Sequence, residues 1–305
     1  MSTPLPDGPF TLADLPGLGL TRPHLRRLLA CGAARRILRG VYVASTLEDT
    51  FELRVAAASR ATAVGHVIVD RTAAWIHGLE TYSTSEREVG PAVETCCLRG
   101  KSPTRRSDVA GGSRDLSADD VMVVNGVRVT TPLRTALDLG CHLRRREAFA
   151  ALCQFARHHG ITASVLAPGV RRFARRRGVV QLRELAVLVD PRFESPREAW
   201  TFLAIHDARL PHPTPQVWID VDGVPTYRLD LAYPALRICV EYDGWDFHDR
   251  DEEQIARDRA RRKWLRDHGW IVIVIKLGDF TGDCLERWIG ELREALRTAY
   301  TTRRW

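Results

Sequence analysis

Leu25, Leu28 and Leu29 recur at helical spacing behind Thr21, with Pro23 in the first turn and Gly32 just beyond. The spacing predicts a helix that Thr21 caps and the glycine closes. Arg22, Arg26 and Arg27 fall on its opposite face. Thr11 stands where it would cap an earlier helix over 12–15, cut short by Pro16 and Gly17. After Gly32 the period drops to two. Residues 34–44 alternate apolar with polar and predict a two-stranded ribbon turning at Arg39-Gly40, edged by Arg35, Arg36 and Arg39. Helical spacing returns over 48–62, where Phe51, Val55 and Ala58 share a face, and in a short segment over 72–79. Runs at 93–98 and 121–130 predict strands, the second turning at Asn125-Gly126, a pair suited to a tight hairpin. Residues 100–115 are polar and glycine-bearing and predict a loop. Helices are predicted over 144–159 and 181–189.

The stretch from Asp190 to Pro196 punctuates the chain. Ser195-Pro196-Arg197-Glu198 opens a helix reaching about residue 209, and its Ser and Glu have the spacing of a capping box, in which Glu198 folds back onto the Ser195 N–H. A strand over 216–220 and a turn at Asp222-Gly223 follow. Two further strand-like runs each end in a carboxylate. Asp230 ends the first, after Tyr227 and Leu229; Glu241 ends the second, after Ile238 and Val240. A charged helix over 250–268, an apolar strand over 270–276 and an amphipathic helix over 284–299 complete the chain. The predicted order is helix, three-strand meander, helix, strand, helix, with the late helix as the crossover to the last strand.

A chain of 305 residues is long for one core, and three domains are expected: 1–47, 48–190 and 191–305. Its hydrophobic fraction of 45% and charged fraction of 27% are those of a soluble globular protein. It has no apolar run of membrane-spanning length, and Met1 to Phe10 lack the layout of a secretory signal. Seven cysteines without a C-x-x-C pair fit a reducing cytoplasm better than a disulfide or zinc scaffold. Charge is unevenly placed: residues 1–190 hold 27 Lys and Arg against 18 Asp and Glu, whereas the remainder hold 18 against 20. The basic front makes nucleic acid the expected partner there. A helix followed by a basic ribbon is what a winged helix-turn-helix offers a duplex, and Arg22, Arg26, Arg27, Arg35, Arg36 and Arg39 are the expected DNA contacts. The other reading of these arginines is a solvated basic face.

If the two carboxylate-ended strands pair across Tyr233-Pro234-Ala235, Asp230 and Glu241 approach each other. Adjacent carboxylates repel unless a proton or cation lies between them, and such oxygens suit Mg²⁺, or Mn²⁺ in its place. Each has a plainer reading: an ion pair to Arg228 or Arg237 for Asp230, and a surface strand end for Glu241. Asp258 lies four residues before Arg262, as in an ordinary helix ion pair.

The pattern Asp230, Glu241-Tyr242-Asp243-Gly244, His248, Arg257-Asp258 and Gly269-Trp270 resembles the PD-(D/E)xK nuclease superfamily, and within it the very-short-patch repair endonuclease-like branch, over roughly the last 115 residues. The superfamily's Lys position is Asp243 here, a departure the branch shares. The resemblance implies a restriction-endonuclease-like core, metal ligation by Asp230 and Glu241, and His248 as base or proton shuttle. It also implies a contribution from Glu198, and Asp243 orienting His248 or holding a second ion. Trp245 and Phe247 would flank the site. His248 is equally a residue exposed at the start of a helix. Leu38-Arg39-Gly40-Val41-Tyr42, the stretch at 72–79 and residues 131–138 resemble the abortive-infection antitoxin family AbiEi, which implies a cognate toxin or defence-system partner. Two functions are therefore expected as alternatives: a DNA-binding protein whose C-terminal domain hydrolyses DNA with a metal, or a non-catalytic antitoxin-like transcriptional regulator whose C-terminal domain retains only the nuclease fold.

Overall fold

The computed structural model describes residues 5–98, 109–244 and 252–302. In chain order it forms β1 (Phe10–Thr11), α1 (Arg22–Ala30), β2 (Ala34–Leu38), β3 (Val41–Ala44), α2 (Phe51–Ala61), β4 (Val67–Ile68), α3 (Asp70–Ile76), α4 (Thr84–Val89), β5 (Val93–Leu98), β6 (Val109–Arg114), β7 (Val121–Val124) and β8 (Val127–Thr130). Then come α5 (Pro132–His142), α6 (Arg145–His159), α7 (Ala163–Arg172), α8 (Val179–Ala186), α9 (Pro196–Asp207), β9 (Thr214–Val221), β10 (Val224–Tyr233), β11 (Ile238–Tyr242), α10 (Glu252–Asp267), β12 (Ile271–Ile275) and α11 (Gly282–Thr302). The architecture is mixed α/β, with three sheets among the described residues. By packing, the chain divides into two compact units, Met1–His142 with Ser164–Arg183, and Leu143–Ala163 with Glu184–Trp305. This division places α6 with the C-terminal elements.

The first unit holds a three-stranded sheet ordered β1-β3-β2 and a five-stranded sheet ordered β6-β5-β4-β8-β7. Thr21 caps α1 by accepting the His24 N–H at 3.4 Å. The helix expected over 12–15 does not form. Thr11 joins β1, and its N–H and hydroxyl donate to the Asp14 carboxylate at 2.7 and 2.8 Å. Pro16 and Gly17 leave too few residues for a helical turn to close, and a 3₁₀ turn at Pro16–Leu18 takes its place. The ribbon of β2 and β3 turns at Arg39-Gly40, and its Ile37, Leu38, Val41 and Val43 share one core with Val55, Ala58 and Trp75. Asn125 and Gly126 adopt φ of 47° and 78° between β7 and β8. The loop predicted over 100–115 is wrong at its end, where β6 runs parallel to β5 from Val93↔Val109 to Leu98↔Arg114. Residues 109–114 read Val-Ala-Gly-Gly-Ser-Arg, so their strand character comes from the partner strand and not from an alternating pattern of their own.

Arg134, on α5, is 1% exposed. Its Nε donates to Asp138 at 2.8 Å and its Nη1 to Asp120 at 2.9 Å, while its guanidinium carbon lies 5.1 Å from the Phe173 ring centroid. Arg114 bonds Asp70 and Asp138, and Arg172 bonds Asp120. The network ties β6, α3, α5, α7 and the turn before β7 together with matched charges. A buried charge left alone costs several kcal/mol. Arg134→Met, which fills the volume but strands Asp120 and Asp138, is expected to destabilise this unit by about 3 kcal/mol, as breaking a buried pair does. Denaturant melts check this, and a variant as stable as wild type would show that Arg114 and Arg172 alone suffice for both acids.

The second unit holds a four-stranded sheet ordered β12-β11-β10-β9. β9, β10 and β11 pair antiparallel in succession, and β11 pairs parallel with β12 from Ile238↔Ile271 to Tyr242↔Ile275. Leu229, Ala232 and Cys239 of the sheet pack with Leu265, Trp270 and Val272. Phe149 of α6 and Phe202 of α9 stack at 6.1 Å, with Phe193 edge-on to Phe149. Residues 238–241 of β11 are all buried, so Glu241 is a carboxylate inside a core strand.

Candidate functional site

β10 and β11 pair with Leu231 opposite Val240 and Ala232 opposite Cys239. One step further along that register, Asp230 faces Glu241, and cross-strand partners lie on the same face of a sheet. The Tyr242 N–H donates to Asp230 Oδ2 at 3.0 Å and closes the strand ends. Burial pushes the Asp230 carboxyl up to about 7, and the negative charges of Glu198 and Glu241 add to the shift, against the Tyr242 hydrogen bond and Arg261. Glu241 is likewise raised by burial, opposed by Arg261 and Arg262. Its side chain is 2% exposed. Arg261 Nη2 donates to Glu241 Oε2 at 2.8 Å, while Glu241 Oε1 is buried without a hydrogen-bond partner in the protein.

Glu198 arrives from the first turn of α9. Its N–H donates to Ser195 Oγ at 3.2 Å, which is half of the expected capping box. The reciprocal half differs. Glu198 Oε2 accepts the Glu194 N–H at 2.9 Å and Gln216 Nε2 at 2.7 Å. Gln216 reaches it from β9, where its φ of 55° is left-handed. Glu198 is thus buried against the sheet and acts on Asp230, so capping and membership of the acidic cluster coexist.

The plainer readings can now be placed. Arg228 pairs with Glu194 at 2.5 Å and Arg237 donates to the His268 carbonyl at 3.1 Å, so the ion pairs foreseen for Asp230 are not the ones formed. Glu241 is no surface residue. Arg262, expected to pair along its helix with Asp258, bonds Asp243 at 2.9 Å. The Asp243 N–H donates to the Ile275 carbonyl at 2.7 Å, which anchors this carboxylate beside β12. His248, Trp245 and Phe247 lie outside the described residues. Arg261 and Arg262 were not singled out from sequence; within the run Arg257-Asp258-Arg259-Ala260-Arg261-Arg262-Lys263 nothing marks which cations turn toward the sheet. Among the described residues no group of three or more His, Cys, Asp or Glu side chains is placed to hold a metal ion.

On the first unit, Arg22, Arg26 and Arg27 are exposed along α1, and Arg39 is exposed at the ribbon turn. Arg35 and Arg36 are half-buried. Arg35 Nη2 donates to the Leu47 carbonyl at 3.2 Å and Arg36 Nη1 to the Val89 carbonyl at 2.7 Å. Both line a cleft of about 630 Å³ with Trp75, Tyr82 and Arg87.

Two proteins of Mycobacterium tuberculosis, each described as uncharacterized, one from strain CDC 1551 and one from strain H37Rv, are each 30% identical to this chain over 262 residues, covering 85% of it and 92% of their own length. The chain belongs to their family. Residues 63–188 match the family described as the AbiEi antitoxin C-terminal domain. Family membership therefore extends over both units, and the AbiEi likeness foreseen in the middle of the chain is present there. No helix among the described residues is long and apolar enough to cross a membrane.

Asp230 ionises near 7 in the folded chain, against about 3.9 for an unfolded aspartate. The folded state therefore keeps this proton between those values, so the stability tied to it is complete below pH 4 and is lost as pH rises through 7. Asp230→Asn cannot ionise. Relative to wild type it is expected to gain roughly 1–3 kcal/mol more at pH 8 than at pH 4, each pKa unit being worth about 1.4 kcal/mol before discounting for water at the site. Urea melts at both pH values measure this, and an equal difference at the two would remove the raised ionisation.

Proposed function

We propose that this protein is a DNA-binding regulator of the antitoxin type, with a toxin or defence-system protein as its partner. The observation that carries the reading is the AbiEi antitoxin match over residues 63–188, in a chain that presents exposed arginines on α1 just ahead of it. α1 and the β2–β3 ribbon are read as a winged helix-turn-helix: α1 enters the groove and Arg39 meets the backbone at the wing tip. Supporting this are the cap at Thr21, the two-residue ribbon turn and the net basic charge of residues 1–190. Changing Arg22, Arg26 and Arg27 together to alanine is expected to weaken duplex binding about 10- to 100-fold near 100 mM salt and to flatten its salt dependence, because fewer counterions are released. Fluorescence anisotropy across a salt series tests it, and unchanged affinity and slope would remove α1 from recognition.

A second reading has its own support in the buried, mutually repelling carboxylates of the second unit. On this reading the α9–β9–β10–β11–α10–β12–α11 succession is a PD-(D/E)xK-type core that hydrolyses phosphodiesters. Asp230 and Glu241 would hold Mg²⁺ or Mn²⁺, with Glu241 Oε1 as the uncommitted oxygen. Such an ion polarises phosphate and lowers the pKa of bound water. Arg261 steadies Glu241, and Arg262 holds Asp243 at the strand end. Glu241→Gln is expected to abolish plasmid nicking and to shrink the rise in Tm that added Mn²⁺ produces. Intact metal-induced stabilisation in the variant, or no nicking by wild type with either ion, leaves the regulator reading alone.

A further inference from the structure

Trp200 sits on α9 three residues after Arg197, and two guanidinium groups lie against its ring. The Arg197 guanidinium carbon is 3.8 Å from a ring centroid of the indole, and that of Arg146 is 4.5 Å away. Phe280 meets the indole edge-on at 5.4 Å. Two donors in this cluster lack partners. Arg197 Nη1 and Trp200 Nε1 are both buried with no hydrogen-bond partner in the protein. A buried donor left unpaired costs about 1–3 kcal/mol, so two in one stack call for an acceptor.

The charges around the stack do not balance. Arg146 Nε donates to Glu147 Oε1 at 3.1 Å, which commits that carboxylate, although its Oε2 is buried without a hydrogen-bond partner in the protein. The groups that act on Arg197 are the Tyr242 phenol, Arg146 and Glu147. Two guanidiniums against one carboxylate leave one positive charge over. Burial, with Arg146 adding to it, holds the Arg197 guanidinium below its ordinary range. Arg71 and Arg114 of the first unit are also opposed by burial, yet the carboxylates they bond raise them. Arg197 is half-buried and the Arg146 side chain 37% exposed, so the stack has a solvent-facing edge from which the buried Nη1 and Nε1 meet an anion once the guanidiniums swing aside. Arg197 directly precedes Glu198 on α9, and Tyr242, which acts on Arg197, alternates along β11 with Glu241 and so faces the other side of the sheet.

We propose that Arg197, Trp200 and Arg146 form a subsite in the second unit for a phosphate of duplex DNA. A phosphodiester carries the one negative charge that balances the excess, and its oxygens accept from both a guanidinium and an indole N–H. The stack supplies a local positive charge for the backbone that the acidic cluster of this unit does not. This extends DNA contact to the second unit and rests on the reading that the protein binds DNA, but not on hydrolysis.

The test uses the full chain, a labelled duplex and EDTA, with anisotropy read across a salt series. Arg197→Gln is expected to lower affinity about 5- to 20-fold at low salt and to reduce the slope of log K against log salt by about 1, as the loss of one phosphate contact does. Arg197→Lys retains the charge and should keep the wild-type slope. Trp200→Phe keeps a ring and removes the N–H, and should cost about 3- to 5-fold in affinity with the slope unchanged. Thermal melts identify any variant that fails to fold; if Arg197→Gln is one, the Lys and Phe variants decide. Affinity and slope equal to wild type in the folded variants, while the alanine changes on α1 weaken binding, overturn the subsite and leave the regulator reading standing. Absence of duplex binding by wild type overturns both.

Discussion

The antiparallel register of β10 on β11 is the constraint on which the second unit's chemistry depends. It places a carboxylate within β10, three residues before its end, opposite a carboxylate one residue before the end of β11, and burial raises both carboxyls. A third acid, Glu198, is delivered by the helix that packs over the sheet. Any shift of register by one residue would turn Asp230 to the other face and dissolve the cluster. The Tyr242 N–H on Asp230 holds that register, and the Asp243 N–H on the Ile275 carbonyl continues the pairing of β11 with β12. With Asp230 poised near pH 7, a cation or a proton decides the charge of the site.

The first unit treats buried charge in the opposite way. Arg134, Arg114 and Arg172 are matched against Asp120, Asp138 and Asp70 so closely that the cluster works as a structural clasp. Burial opposes the Asp70 charge, yet bonds from His142 and Arg114 bring its carboxyl down to about 2, so it stays ionised at any ordinary pH. Such a network is strongly opposed to losing one member. Its role is to fix α5 and α7 on the sheet, and the AbiEi match spans all of it. The contrast between neutralised and unneutralised charge is what separates scaffold from candidate site in this chain.

Local chemistry was legible in the sequence where a residue acts on its neighbours. The Thr21 cap, the Arg39-Gly40 turn, the Asn125-Gly126 hairpin and the Ser195 cap are decided within four residues, and each stands where the pattern placed it. Patterning failed where distant chain decides. β6 has no alternation of its own and exists because β5 offers an edge. Residues 12–15 have the cap of a helix without the length. Asp230 and Glu241 were visible as carboxylates where a strand expects apolar residues, but their Arg261 and Arg262 partners were not, since an arginine-rich helix looks solvated until its facing side is known. Glu198 was legible in both of its roles, and the two proved compatible because its N–H serves the cap while its carboxylate reaches back to Glu194 and across to Gln216.

What remains is why the second unit joins Glu241 to Arg261 yet leaves Arg197 and Glu198 apart. Arg197 and Glu198 are adjacent on α9, as are Glu241 and Tyr242 on β11, yet Arg197 stacks on Trp200 while Glu198 turns to Gln216. Direct pairing of acid and base would lower the cost of burying each, as it does around Arg134. A fold selected for stability alone would have made those pairs. An unpaired cationic stack is instead what an anionic ligand would require, and a raised carboxyl what a cation or proton would require. The stability forgone at such a place is the usual mark of a site under functional constraint. The same logic explains the chain's uneven charge. On the DNA-binding reading, the basic front would attract a polyanion over long range, and the Arg197–Arg146 stack would offer it positive charge in the second unit.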